Sequence, residues 1–283
     1  MRNLTHLVSL RICVSLAIAL LFSPGLAAET PSEAAEAPPE SESLLPTAEP
    51  DPLPQQATSS DEWKISLISY LWMVSIDGTS TVGTVTVPVK VDFSDLIDTL
   101  KFAFAAHFEA SKGRWGGIVD FNFAAIGDNQ VADIPELGTL DYNFDLLYLD
   151  LLASYRFPYD RHSFDILLGT RYRNLKLDLR LSSGLNPGFD VGWWDPLVGV
   201  RYIAKVHPEK LDVIVKGFVG GFGAGSQFTG EFVGGITINL TPKITIPVVY
   251  RYLHTEYEEG SGMDFFRYDA SEQGLLIGLG FKF

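Results

Sequence analysis

From Trp63 to the end of the chain, apolar and polar residues alternate with a period of two. In LKFAFAAHFEASK, Phe102, Phe104, Ala106 and Phe108 share one side of an extended chain, while Lys101, His107 and Glu109 share the other. In WGGIVDFNFAAIG, Trp115, Val119, Phe121 and Phe123 oppose Asp120 and Asn122. The short polar turn Lys112-Gly113-Arg114 joins these two runs into a hairpin. Alternation continues through 140–157, 162–181, 194–206, 211–223, 228–240, 244–257 and 274–283. This predicts roughly ten strands of about 10 to 18 residues, as tilted membrane-crossing strands require. The parity of the polar face flips near Leu147 and near Asn174. Either a β-bulge or a passage out of the bilayer produces such a flip.

The connections alternate in length. KGR, PYDR, HPEK and TPK are tight, whereas 77–99, 128–139, 182–193 and 258–273 are long, and one near Gly225 is short. That asymmetry predicts tight turns and both chain ends in the periplasm, with the longer connections outside. TVGTVTVPVKVDF also alternates, so the first long connection holds either a strand extended above the membrane or a change in strand count. SDLIDTL, with a capping serine and apolar residues at helical spacing, predicts a short helix over the mouth or inside the lumen. The expected fold is all-β: a transmembrane antiparallel up-and-down β-barrel of about ten strands, with eight or twelve as alternatives, and a disordered N-terminal segment.

The start of the chain changes the picture of where the barrel resides. Arg2 and Arg11 precede an apolar run from Ile12 to Phe22, a Pro24-Gly25 break, and Ala27-Ala28. Residues 1–28 therefore read as a secretory signal peptide, the run being shorter than the roughly 20 residues of a spanning helix. The single cysteine, Cys13, falls inside it, which excludes disulfides and cysteine chemistry from the mature protein. Residues 29–62, rich in Pro, Ala, Ser and Glu without a basic residue, read as a disordered acidic periplasmic linker, leaving 63–283 as the barrel. The net charge of −14 becomes −16 once Arg2 and Arg11 leave with the signal, which argues against nucleic-acid binding.

In a bilayer, backbone groups must pair within the protein, and without spanning helices only a closed barrel achieves this. Aromatic girdles should mark the two interfaces. Trp63, Trp115, Tyr155, Phe157, Phe164, Tyr202, Phe281 and Phe283 lie near the tight-turn ends, and Tyr70, Trp72, Trp193, Trp194, Tyr252 and Tyr257 lie deeper or toward the loop ends. The opposite face carries mixed charges, including Asp145, Asp150, Arg156, Asp165, Arg173, Asp212, Lys216 and Lys282. Candidate lumen-lining residues are Asp120, Arg171, Asp195, Arg201, Glu231 and Arg251. In so narrow a barrel they form either a solid salt-bridged interior or a narrow polar pore.

Several stretches carry a family likeness. Trp194 to Tyr202 (WDPLVGVRY), Gly217 to Gly223 (GFVGGFG), Tyr250 to Leu253 and the closing Gly274 to Phe283 resemble an uncharacterised proteobacterial outer-membrane β-barrel family, as do Phe93 to Ile97 and Gly113 to Gly116. More distantly, the chain is similar to small OmpA/OmpW-like barrels. The resemblance implies a fold and an outer-membrane location, without a substrate. The final strand resembles the signal read by the barrel-assembly machinery, with Leu279, Phe281 and Phe283 as candidate signal residues.

Three functions fit these residues. The first is a structural barrel or narrow passive channel for small polar solutes. The second is a lipid-modifying enzyme, for which His107, Glu109 and Ser111 offer residue types for nucleophilic catalysis, although a shared polar lumen face explains them more simply. No convincing catalytic constellation emerges, so the expectation is a non-enzyme. The third is adhesion or ligand binding by external loops, the last of which is acidic and aromatic from Glu258 to Asp269. Outer-membrane lipids, lipopolysaccharide and the assembly machinery are the expected partners, and no cofactor or metal site is assigned. A soluble ligand-binding barrel, with apolar residues inside, is the architectural rival.

Overall fold

The computed structural model describes residues 62–134, 138–184, 186, 188–207 and 209–283. The expected signal peptide (1–28) and linker (29–62) lie outside them, Glu62 apart. The elements are β1 (Trp63–Val82), β2 (Val85–Val91), α1 (Phe93–Thr99), β3 (Leu100–Lys112), β4 (Trp115–Ile134), β5 (Gly138–Tyr159), β6 (His162–Leu181), β7 (Gly188–His207), β8 (Leu211–Gly221), β9 (Phe228–Asn239), β10 (Ile244–Glu259) and β11 (Phe266–Lys282). From β3 to β11 each strand pairs antiparallel with the next. The sheet closes where β11 meets β1, from Ser66↔Lys282 to Val82↔Phe266. Gly274 lies on that seam, where a Cβ would stand 1.9 Å from the carbonyl oxygen of Met73, so the two strands approach only because the side chain is absent.

Ten strands, β1 and β3–β11, form the wall. β2 pairs only with the far half of β1, from Ile76↔Val91 to Val82↔Val85. It is the strand extended beyond the belt, and α1 returns the chain from it to β3. The tight reversals between β3 and β4, β5 and β6, β7 and β8, and β9 and β10 gather at one end of the barrel. In the last of these, Thr241 Oγ1 accepts the N–H groups of Lys243 (3.2 Å) and Ile244 (3.0 Å) and so satisfies a reversal in which Pro242 offers no donor. Much of what reads as long connections at 77–99, 128–139, 182–193 and 258–273 is strand.

The outward face of the wall carries a belt of exposed large apolar residues, among them Leu71, Phe102, Phe104, Leu151, Leu168, Val198, Val219, Phe232, Ile277 and Leu279. An apolar surface that encircles the molecule needs hydrocarbon to cover it. Trp63, Trp115, Phe157, Tyr159, Phe164, Tyr202 and Phe283 rim it at the tight-turn end. There Trp115 meets Tyr155 edge-on at 4.8 Å, and Tyr155 meets Phe157 at 5.0 Å. At the opposite rim Trp194 packs on Tyr172 at 4.9 Å, and Tyr252 faces outward. Four aromatics expected in that rim point inward instead. Tyr70, Trp72, Trp193 and Tyr257 are each at most 9 % exposed, because strand parity turns them inward, where Arg251 lies against Trp72, Arg173 near Trp193, Tyr70 donates to Asp120 and Tyr257 stacks on Trp193.

The two apparent phase flips are a passage out of the bilayer. β5 and β6 pair without a register shift from Leu140↔Leu181 to Tyr159↔His162. Even-numbered positions of β5 and odd-numbered positions of β6 face inward throughout: Ser154, Asp150, Tyr148, Leu146 and Leu140 on one, Asp165, Arg171, Arg173, Leu175 and Leu179 on the other. What changes is the chemistry of each face. Toward the tight-turn end the outside is apolar and the inside carries the ion pairs, with Leu152 and Leu167 in a small apolar cluster between them. Toward the loop end the outside bears Asn143, Asp145, Asn174, Lys176 and Asp178, while the inside is leucine and aromatic. Asp145, which alternation alone groups with the inward charges, therefore faces out opposite Lys176, since beyond the belt the medium outside is water. The register irregularities lie elsewhere, at Leu100/Phe102, Asp128/Ala132 and Lys205/His207.

Leu168, 64 % exposed at the middle of the belt, tests this division. Leu168→Arg should cost about 2–4 kcal/mol of folding free energy in vesicles, the depth-dependent cost of a cation at mid-bilayer. Lys176→Leu, on the same face beyond the belt, should change stability by less than about 0.5 kcal/mol. Equilibrium urea unfolding in phospholipid vesicles reads both values.

Candidate functional site

The lumen within the belt holds ion pairs arranged in tiers, with a small apolar cluster of Ile118, Leu152, Leu167, Leu197 and Phe218 packed among them. Nearest the tight turns, Arg201 forks between Glu109 (2.7 and 2.8 Å) and Asp165 (2.6 and 2.8 Å). Arg156 adds a second fork on Asp165 at 2.8 and 2.9 Å. In the next tier Glu231 stands at the centre of three cations, hydrogen-bonded to Arg171 and to Arg251 (2.9 Å) and ion-paired with Lys216 at 3.2 Å. Arg171 also forks onto Asp150 at 2.6 Å through both nitrogens. Beside it Asp120 accepts from Tyr70 Oη at 2.6 Å and meets His107 Nδ1 at 2.8 Å. The upper tier is Arg173, which donates to Glu272 (2.5 Å), Thr255 (2.5 Å) and Tyr148 (2.7 Å), while Tyr148 and Tyr268 donate to the same Glu272.

Each of these side chains is placed by strand parity, and bulk water is excluded from the middle of the stack. Arg171, Arg173, Asp165 and Asp195 have no exposed surface, and Glu231, Arg201 and Arg251 have at most 4 %. Aromatic faces complete the solvation of the cations. Arg251 lies 4.7 Å from the ring centre of Trp72, and Arg173 lies 4.4 Å from that of Tyr148. Charges so far from water persist only because each meets an opposite partner and further hydrogen bonds.

The predicted lumen residues Asp120, Arg171, Arg201, Glu231 and Arg251 come together in this stack. Asp195 is inward but apart from the cations, accepting from Trp193 Nε1 at 3.0 Å and from the backbone N–H of Ser226 at 2.6 Å, which ties β7 to the β8–β9 turn. Glu272 goes unassigned from the sequence because it lies in a stretch that reads as loop. The alternation of Phe266, Tyr268, Ala270 and Glu272 was its signal. His107, the histidine with nucleophile-type neighbours in sequence, is held instead by Asp120, with Glu109 3.9 Å away. Leu279, Phe281 and Phe283 all face outward, Phe283 at the tight-turn rim.

Above the ionic stack the interior becomes an apolar chamber of two adjoining cavities, each of about 110 Å³. The outer one is walled by Val89 and Val91 of β2, Leu96 of α1, and Phe144, Leu175, Leu177, Phe189 and Phe266 from the barrel strands. The inner one shares Ile76, Leu96 and Ile126 with it and ends on Tyr148 and Glu272, the top of the ion-pair stack. Trp72 also lines it, and the indole Nε1 of Trp72 has no partner among the described residues. The chamber is missed in a reading by alternation because its leucines and aromatics look the same as lipid-facing ones.

Outside the wall, His254, Glu256 and Asp269 bring ligand atoms within 4.8 Å of one another. They lie beyond the belt, where Arg267 pairs with Asp269 at 3.1 Å.

The stack's dependence on Glu231 is measurable. Glu231→Leu should destabilise the folded barrel by about 3–5 kcal/mol, because the buried Arg171 and Arg251 and the half-buried Lys216 lose their shared anion. Arg267→Ala, which removes an exposed pair, should cost less than about 1 kcal/mol. Urea unfolding in vesicles compares the two.

No family model and no curated protein matches the chain. Solved structures do. The outer membrane protease OmpT from Escherichia coli superposes with a TM-score of 0.54 at 8 % identity, covering 81 % of this chain and 99 % of that one. Ail, the attachment invasion locus protein of Yersinia pestis, solved with the heparin analogue sucrose octasulfate, aligns at a TM-score of 0.35 and 14 % identity over 78 % of this chain and 98 % of its own. Neisserial surface protein A aligns at 0.31 and 12 % identity over 78 % and 97 %. At these identities the likeness to OmpT concerns the fold. The chain is a closed ten-stranded β-barrel of the outer-membrane kind.

Proposed function

We propose that this outer-membrane barrel is a binding protein, closed to free ion flow by its ionic stack, that holds an apolar ligand in the chamber above it and performs no catalysis. The observation that carries this reading is the juxtaposition of the two compartments. A charge-filled, water-poor floor ends at Tyr148 and Glu272, and an unfilled apolar volume begins on the same residues. A polar-solute channel needs a continuous wet path, and the stack offers paired charges where that path would run. An apolar pocket with a few polar groups at one end is the usual form of a small-ligand site. In this reading the tight turns and Phe283 face the periplasm, and the chamber with β2 and α1 faces outward. Surrounding lipids and lipopolysaccharide cover the belt, and the assembly machinery reads Leu279, Phe281 and Phe283 on the outward face of β11.

Two measurements test it. Purified protein in a planar bilayer should give no conductance steps where a porin control conducts. In detergent it should bind the neutral fluorophore N-phenyl-1-naphthylamine with a blue-shifted emission that Ile126→Trp, at the junction of the two cavities, removes. Discrete conductance steps, or fluorophore emission indifferent to Ile126→Trp, would contradict the proposal.

A further inference from the structure

The wall of the barrel is interrupted between β1 and β3. β1 and β3 pair from Trp63↔Lys112 only as far as Ser69↔Ala106. On that edge β1 pairs again at Ile76↔Val91, and there with β2. Between these points, Tyr70 to Ser75 of β1 and Leu100 to Ala105 of β3 have no ladder partner across the gap among the described residues. Hydroxyl groups mark the two ends of the interruption. Ser69 Oγ donates to the carbonyl of Ala105 at 3.3 Å, and the N–H of Phe93 donates to Ser75 Oγ at 3.2 Å.

The inner cavity borders this gap. Its lining includes Leu71 and Phe104, both 49 % exposed on the lipid-facing side, together with Trp72 and Tyr148 from the interior. The outward-facing Leu71 and Phe104 border the same volume as the inward-facing Trp72 and Tyr148 at the place where the ladder between β1 and β3 stops. The gap lies at the outer margin of the apolar belt. Phe102 and Phe104 are exposed beside it, and just beyond them the exposed Lys101 donates to Asn143 at 2.5 Å, where the outward face turns polar. Unpaired backbone edges at this depth are costly unless they border a cavity. The medium in contact with the opening is therefore the chain region of the outer leaflet.

We propose that the gap between β1 and β3 is a lateral portal through which an acyl chain of a lipid in the surrounding leaflet enters the chamber. The proposal rests on the chamber being a ligand site, and it names the ligand class and its route. Three features fit this occupant. The path from Leu71 and Phe104 to Leu96 and Ile126 is mainly apolar, with Asn122 as a polar side chain beside it, matching a hydrocarbon chain. The unpartnered Nε1 of the buried Trp72 supplies a donor for an ester carbonyl at the head of that chain. The cation of Lys101 stands at the polar margin, where the lipid's phosphate remains.

Quenching of tryptophan by brominated chains tests the portal. The full chain is reconstituted in phosphatidylcholine vesicles with either unmodified or chain-brominated lipid. One variant retains Trp72 alone, with Trp63, Trp115, Trp193 and Trp194 replaced by Phe, and a sister variant retains only Trp193, which is interior but away from the gap. Trp72 should lose most of its emission in brominated vesicles while Trp193 keeps its own, and adding Ala103→Leu, which narrows the gap, should restore Trp72. Equal emission from Trp72 and Trp193 would overturn the proposal. Should the multiple replacements prevent folding, the unsubstituted protein is photolysed with phosphatidylcholine bearing a diazirine at the chain end. Adducts on Ile126 or Tyr148 support the portal, and adducts confined to outward residues overturn it. If N-phenyl-1-naphthylamine still binds while quenching and inward adducts are absent, the lateral route fails and the chamber reading stands. If binding is lost as well, both fail.

Discussion

The barrel depends on one strand satisfying two different edges. A sheet in hydrocarbon must close on itself, because each unpaired backbone group there costs several kcal/mol. β1 meets this on one side by pairing with β11 along almost its whole length, which sets the circumference and the stagger of all the other strands. On its other side it divides its pairing between β3 near the tight turns and β2 near the loops. That division carries the chain out of the belt, returns it through α1, and leaves the opening beside Tyr70 to Ser75. Closure, the added outer strand and the gap are consequences of how one strand's hydrogen bonds are shared.

The same wall separates opposite media at two levels. Within the belt, lipid outside requires apolar outward residues, and a narrow lumen then has to solvate whatever polar groups face in. It does so with itself: Glu231 among three cations, Asp165 between Arg156 and Arg201, Glu272 among Arg173 and two tyrosines. Buried pairs of this kind are poor sources of net stability, but removal of one member is severe. Beyond the belt the requirement reverses. Water outside permits Lys176 and Asp178, and Leu175, Leu177 and Leu179 form an ordinary core. The ionic stack thereby becomes the floor of an apolar chamber, the arrangement on which the proposed binding role rests.

Much of the architecture was legible in the residues. Phe102, Phe104 and Phe108 against His107 and Glu109, the turn at Gly113, and the alternation of Leu275 to Phe283 all state a strand with two unlike faces. The hairpin order and the count of ten followed from their repetition, and the extended strand at 85–91 and the helix after it were marked by their own periods. What alternation cannot state is which side of the wall an apolar face meets. Tyr70, Trp72, Trp193 and Tyr257 resemble interface aromatics until their interior partners are known, and Asp145 resembles a lumen charge until the belt's edge is located. Contacts such as Arg173 with Glu272 join residues far apart in the chain through register around the whole barrel, so single-strand patterns leave them unpaired. The gap was also silent, since Leu71 and Phe104 are apolar and outward whether or not their strands touch.

The inversion of the two faces along a single strand is the central claim, and a nitroxide scan of β6 from Phe164 to Leu181 in vesicles measures it directly. Even-numbered positions up to Tyr172 should relax with lipid-soluble oxygen and those from Asn174 onward with a water-soluble nickel chelate, while odd-numbered positions should respond weakly to both. Access of the chelate to positions 171 and 173 would mean a wet lumen, and oxygen-dominated relaxation at 176 and 178 would place the outer half in lipid; either result would contradict the two-compartment barrel.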